Sequence, residues 1–343
     1  MIRRVSKLHQ ISVVISTWRR PQMLLRLLVA LTGQTISMTD FEVLVIDSHS
    51  GDATADVVER IASETSLNVR LMNCKVNSIS SKRNFGIDFA AGKFIVFLDD
   101  DCIPDLDHLA KFLDAAAGFE GQQIVWCGGV RFNEELIFQS NYYRYRNSCH
   151  FSKTNPRATI LKFNEIVTMN MMVELATLRK YGIKFDERFL GYGCEDIEFG
   201  WRLIQNRFVI KPCLAEIQHE ELNGSILKFK EKLYHASRDG FAVLHQVAPE
   251  VVNNLGETAK LEVDLNNKLS EINFRIVLLL MVLDSKIPML VQQILFHLDK
   301  FKFAYSRLAY RFVLAAAHRR GYCARVSGSQ VKVETANKNG WYS

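Results

Sequence analysis

A mainly parallel α/β sheet flanked by helices, followed by a helical C-terminal appendage, is the fold class that this 343-residue sequence predicts. Three observations predict it. Short apolar runs alternate with helical patterns through the first hundred residues. Polar clusters fall at the carboxyl ends of several of those runs. Beyond about residue 250 strand-like alternation gives way to helical periodicity.

The elements follow in order. Ile11 to Ile15 reads as a buried strand; Pro21 sits where a first helical residue would, and Leu24, Leu27, Leu28 and Leu31 recur at helical spacing. Phe41 to Ile46 is a second strand that ends at Asp47, followed by a helix through Val57, Val58 and Ile61. A third strand near Val69 to Met72 leads to a helix from about Ser80 to Ala91, closed by Gly92. A fourth strand, Phe94 to Leu98, runs directly into Asp99, Asp100 and Asp101. Thr17, Asp47 and this acidic run thus all lie at strand carboxyl ends, where open α/β sheets gather ligands.

Past Pro104 a helix through Leu109, Phe112 and Leu113 precedes a strand from Ile124 to Phe132. The Tyr-, Arg- and Asn-rich stretch from about Asn133 to Asn164 has weak periodicity and is expected to form loops or short elements shaping a substrate cleft. Val167 to Val173 returns to strand character; Ile197 to Ile204 reads as a helix and Phe208 to Ile210 as a strand. The expected division is a catalytic domain over 1–250 and a helical region over 251–343.

Composition narrows the function. A hydrophobic content of 48% supports a sizeable core, and a net charge of +6 suits anionic small ligands or an acidic membrane surface but is low for a dedicated nucleic-acid binder. The seven cysteines are scattered and never paired as CxxC, giving neither a zinc site nor a disulfide framework. The first ten residues carry Arg3, Arg4 and Lys7 without a long apolar stretch, so a cytoplasmic, reduced protein is expected. The longest purely apolar helical run, Ile276 to Leu283, is under half the roughly 18 residues of a membrane span.

Three consecutive aspartates repel one another and raise one another's pKa, a cost that a bound divalent cation offsets. Alternate residues at a strand end can present Asp99 and Asp101 to one point as hard oxygen ligands for Mn²⁺ or Mg²⁺. The plainer reading is a solvated acidic turn that caps the next helix. For Asp47 the plainer reading is likewise a turn residue capping a helix.

The segment Ser81-Lys82-Arg83-Asn84-Phe85-Gly86-Ile87, leading through Phe97-Leu98 into Asp99-Asp100-Asp101, resembles the core of family 2 glycosyltransferases of the GT-A fold, a Rossmann-like sheet. So do Val13-Val14-Ile15-Ser16-Thr17 and Val45-Ile46-Asp47-Ser48-His49-Ser50-Gly51-Asp52. The resemblance covers roughly residues 11 to 222. It implies a nucleotide-sugar donor, with UDP favoured, held by Thr17, Arg19, Asp47, Arg83, Asp99 and Asp100. A carboxylate can accept from a pyrimidine imide N–H, and Arg offers a planar fork of donors to phosphate. Ser48 and His49 stand where the family has a second Asp and a Gly.

Gly191-Tyr192-Gly193-Cys194-Glu195-Asp196 resembles the ED motif of inverting members, which makes Asp196 the candidate general base and Glu195 the runner-up. The plainer role for both is to favour the positive end of a helix. His219 stands where many such enzymes place a third metal ligand; a lone His is more often structural. The expected acceptor is a saccharide or lipid-linked saccharide hydroxyl.

From Lys300 to Arg325 there are seven Lys or Arg and no acid, with Phe301, Tyr305, Leu308, Phe312 and Ala315 on one helical face and Lys300, Arg307, Arg311 and His318 on another. That pattern predicts peripheral contact with the inner face of a membrane, or a helix packed on the catalytic domain or a second subunit as a homo-oligomer. No GxGxxG or Walker loop supports a dinucleotide or ATP reading. A sugar-nucleotide pyrophosphorylase would need a Gly-rich loop where Ser16-Thr17-Trp18-Arg19-Arg20-Pro21 has no glycine. A non-catalytic carbohydrate-binding protein on the same fold is the remaining alternative.

Overall fold

The structure, a computed structural model, describes residues 9–153, 159–263 and 273–328. Arg3, Arg4 and Lys7 of the expected N-terminal reading lie outside them, as do the last fifteen residues of the C-terminal region.

Among the described residues, eight strands form one sheet in the order β3-β2-β1-β4-β7-β6-β8-β5. The strands are β1 (Ile11–Ser16), β2 (Phe41–Asp47), β3 (Asn68–Asn73), β4 (Phe94–Asp99), β5 (Cys102–Pro104), β6 (Ile124–Phe132), β7 (Asn170–Glu174) and β8 (Val209–His219). The first four run parallel, with Ile11 opposite both Phe41 and Phe94. β7 then pairs antiparallel with β4 and β6, and β5 antiparallel with β8. β1 and β2 are buried along their whole length, which is why they read as unbroken apolar runs rather than as alternation.

Helices α1 (Pro21–Thr32), α2 (Thr54–Glu64) and α3 (Ile79–Phe89) provide the crossovers between the parallel strands. α1 starts on Pro21 as its sequence implies and buries Leu24, Leu27, Leu28 and Leu31. α3 is capped by Ser78, whose hydroxyl accepts from Ser81 N, and most of its first two turns is buried although polar. α4 (His108–Ala116) follows β5. A buried polar staple joins the later strands: Asn170 Nδ2 donates to Gly129 O and Ala215 O, at 3.0 and 2.9 Å, while its Oδ1 meets His108 Nε2 at 2.8 Å.

The remaining helices are α5 (Glu134–Gln139), α6 (Asn141–Cys149), α7 (Leu175–Lys180), α8 (Glu195–Gln205), α9 (Ile226–His235), α10 (Phe241–Val247), α11 (Pro249–Asn253), α12 (Glu257–Leu261), α13 (Phe274–Asp284), α14 (Ile287–His297) and α15 (Arg307–Val326). The chain divides into two compact units drawn from interleaved segments: 1–131, 150–190 and 199–220 in the first; 132–149, 191–198 and 221–343 in the second. The sequence places a single cut near residue 250. Helical structure already begins at α9, whose apolar periodicity is diluted by Lys228, Lys230 and Lys232.

The Asn133 to Asn164 stretch forms short elements as expected, with two helices among its described residues, and Tyr142, Tyr143 and Tyr145 are buried in the second unit's core. Their polarity is accommodated locally: Tyr142 Oη donates to Glu221 Oε1 at 2.7 Å, and Arg146 meets the same carboxylate at 3.2 Å. The basic C-terminal helix begins at Arg307, after a Ser306 cap, so its buried face is Tyr310, Val313, Leu314, Ala317 and His318 instead of the expected apolar stripe. Leu308 is exposed, and His318 is inside, 3.2 Å from Glu262. Among the described residues no helix is long and apolar enough to cross a membrane.

Candidate active site

The carboxyl ends of β1 and β4, adjacent in the sheet, bring the first unit's polar residues together. Thr17 Oγ1 donates to Asp100 Oδ2 at 2.8 Å. Arg20, just before α1, spans two neighbouring acids: Nη1 donates to Asp100 Oδ1 at 2.7 Å and Nη2 to Asp101 Oδ2 at 3.0 Å. Asp99 takes a different partner, Arg83 Nη2 at 3.0 Å. His219 Nε2 lies 3.4 Å from Asp101 Oδ2, because the β5–β8 pairing sets Cys102 opposite His219.

Charge is distributed unevenly along the acidic run. Burial pushes Asp100 up to about 7, against the pull of Arg20 and with Asp101 and Asp99 adding to the rise. Burial also works against ionised Asp101, but His219 and Arg20 outweigh it and hold that carboxyl well below the usual range. Lys82, almost fully enclosed, donates to Thr17 O at 2.7 Å and Asn77 Oδ1 at 2.8 Å. Burial brings its ammonium down to about 8, with Asp47 and Asp100 pulling the other way.

Asp47 ends β2 and is buried. Its Oδ2 accepts from Ser50 N and Ser50 Oγ at 2.8 and 2.9 Å, which fixes the turn after the strand. Its Oδ1 is buried with no hydrogen-bond partner among the described residues, an acceptor that a ligand N–H would satisfy.

Sequence reasoning missed Arg20 and Lys82. Arg19, the arginine it selected, is exposed and lies over the Trp18 ring at 4.6 Å, with a left-handed φ of 55°. The side chain that reaches the aspartates is its neighbour's. Asn84, within the Ser81 to Ile87 motif, has a structural place: it exchanges hydrogen bonds with the Phe185 backbone and donates to Glu187.

The donor set can be tested against a divalent cation. Asp101 and His219 offer a carboxylate and an imidazole within a few ångströms, which fits two positions of such a shell. Asp99 is paired with Arg83, and no group of three His, Cys, Asp or Glu arranged to hold a metal occurs among the described residues. Diphosphate oxygens and water would therefore have to supply the rest of the shell.

Glu195 and Asp196 belong to the second unit, in the first turn of α8. Asp196 Oδ1 accepts from Ile197 N at 2.8 Å. The turn before them is left-handed at two successive residues, Gly193 (φ 91°) and Cys194 (φ 75°). For Cys194 that conformation costs roughly 1–2 kcal/mol and must be held by its surroundings. The brace is a π-helical turn, Ala236–Gly240, between α9 and α10. A Cβ at Gly240 would stand 2.7 Å from Gly193 O and 3.1 Å from Cys194 Sγ, so only glycine allows this approach. The π turn is itself fastened to α15: Ser237 Oγ donates to His318 O and Arg325 Nη1 donates to Ser237 O, both at 2.7 Å. Gly240→Ala is expected to destabilise the protein by about 1–3 kcal/mol through this overpacking. Urea unfolding checks it, and an unchanged midpoint would show the turn to be pliable.

A parallel sheet closed by antiparallel strands, with aspartates and basic residues converging at the ends of β1 and β4, defines a GT-A fold. In fold the chain is similar to mannosyltransferase PcManGT from Pyrobaculum calidifontis, solved with GDP-Man and Mn²⁺ (TM-score 0.53, 15% identity, 91% of this chain and 86% of that one). Residues 12–181 match Glycosyl transferase family 2, and the chain belongs to that family. Among curated relatives, validoxylamine A glucosyltransferase of Streptomyces hygroscopicus is 29% identical over 215 residues, covering 56% of this chain and 51% of the relative. The poly(ribitol-phosphate) beta-N-acetylglucosaminyltransferase TarS of Staphylococcus aureus is 25% identical over 248 residues, covering 71% of this chain and 40% of the relative. The chain thus spans about half the length, or less, of these relatives.

Proposed function

We propose that this protein transfers a sugar from a nucleotide diphosphate sugar, UDP-linked, to an acceptor hydroxyl of a saccharide or lipid-linked saccharide, with inversion at the anomeric carbon. The observation that carries the reading is the convergence of Thr17, Arg20, Arg83 and Asp99 to Asp101 at adjacent strand ends within a family 2 domain. The activities for which the relatives are named, glucosyl and N-acetylglucosaminyl transfer, support it.

Asp47 Oδ1 accepts the uracil imide N–H, its second oxygen being already held by Ser50. Arg83 leaves Asp99 to contact the diphosphate, and Arg20 supplies a second fork of donors at the same edge. Asp101 and His219 would hold Mn²⁺ or Mg²⁺, which would supply positive charge to offset that of the diphosphate leaving group. Asp196 takes the proton of the attacking hydroxyl, and Glu195 is the other candidate for that role.

The test is a panel of nucleotide sugars incubated with the protein and Mn²⁺, read as released nucleotide diphosphate and as product stereochemistry by NMR. Release from a UDP-sugar, abolished by chelation, is the expected result. Saccharide binding without turnover of any donor would favour the non-catalytic alternative.

A further inference from the structure

The chain's positive charge is concentrated in one place. Residues 274–328 hold nine of its 43 Lys and Arg but only two of its 37 acids, Asp284 and Asp299; elsewhere the two kinds nearly balance, 34 to 35. Both acids are engaged within the second unit, Asp284 with buried Arg319 at 3.2 Å and Asp299 with Tyr142 N at 2.7 Å. Arg275, Lys286, Lys300, Lys302, Arg307 and Arg311 are exposed.

The same stretch presents apolar side chains to solvent. On α13, Phe274, Leu278 and Met281 lie at i, i+4 and i+7; on α14, Ile287, Leu290 and Ile294 lie at i, i+3 and i+7. These six are between 49% and 77% exposed, whereas Leu280, Leu283 and Leu295 of the same helices are buried in the second unit. An apolar surface of this extent, bordered by charge, marks a partner rather than scatter.

We infer that α13, α14 and the basic segment after them dock this protein on an anionic lipid membrane. Each helix has 11 residues, about 16 Å at 1.5 Å per residue, against a hydrocarbon core of roughly 30 Å. The pair therefore lies in the headgroup boundary with its apolar side chains inserted, while flanking Lys and Arg meet lipid phosphates. Charge selects the membrane over a second copy of the chain, since a self-complementary contact would set each copy's cations against the other's. The benefit to a lipid-linked acceptor rests on the functional reading above; the docking itself does not.

The test sediments the full-length protein with vesicles of phosphatidylcholine alone and of phosphatidylcholine with phosphatidylglycerol. Binding to the anionic vesicles is expected to be about tenfold tighter or more, and weakened by high salt. Leu278→Glu with Leu290→Glu is expected to abolish it, as is Lys286→Glu with Lys302→Glu, with circular dichroism and donor hydrolysis unchanged in both. Donor hydrolysis absent from every protein, with lipid binding intact, would count against the functional reading and leave the docking standing. Equal partition to both vesicles, or none, overturns the docking. So does light scattering that finds a dimer which Leu278→Glu with Leu290→Glu converts to monomer.

Discussion

Asp101→Ala is expected to slow sugar transfer by about 10²–10³-fold, roughly 3–4 kcal/mol of transition-state stabilisation. Of the three consecutive aspartates, Asp101 alone meets both Arg20 and His219, so its loss removes the carboxylate best placed for a cation. The Mn²⁺ concentration needed for half-maximal rate should rise as well. Asp100 provides the contrast. It accepts from Thr17 and Arg20 deep within the fold, so Asp100→Asn should lower stability by about 1–3 kcal/mol and leave the Mn²⁺ dependence of the remaining activity alone. Steady-state kinetics across a Mn²⁺ titration, beside urea unfolding of each variant, separates the two roles. An Asp101→Ala enzyme with wild-type rate and wild-type Mn²⁺ response would remove Asp101 from the cation site.

Asp196→Asn is expected to lower kcat by about 10²–10⁴-fold with little change in the KM for donor, the range for loss of a general base. Asparagine keeps the hydrogen bond that Asp196 Oδ1 accepts from Ile197 N, so the helix start is preserved while the proton acceptor is lost. The acidic limb of the kcat/KM profile should disappear with it, since that limb reports ionisation of the base in the free enzyme. Glu195→Gln is the necessary companion, because both acids sit in the same first turn. If it proves the more damaging and Asp196→Asn retains the limb, the roles exchange.

Much of the parallel half of the sheet was legible in the sequence. Strands β1, β2 and β4 are buried runs with hard polar ends, and α1 carries its own punctuation in Pro21 and the leucine spacing. The antiparallel half was less so. β5 is three residues long, and its partner β8 lies more than a hundred residues away and continues through Lys211 to His219, past where apolar character fades. A local pattern cannot register a pairing at that separation.

The site shows the same boundary. The aspartates and Arg83 are carried by motifs, but the choice between Arg19 and Arg20 depends on a left-handed residue at Arg19 that nothing in the residue types announces. In α15, His318 falls by periodicity on the basic face with Arg307 and Arg311. It is instead buried beside Glu262, and its neighbour Arg319 is buried beside Asp284, acids far away in the chain that periodicity does not connect to them.

The forked grip of Arg20 on two adjacent carboxylates has a practical corollary for handling this protein. An internal cation already relieves the repulsion of that acid pair, so cohesion at the strand ends does not depend on an added metal ion. Prolonged dialysis against EDTA should leave the melting temperature where it was and silence only turnover, with full recovery on adding Mn²⁺ back.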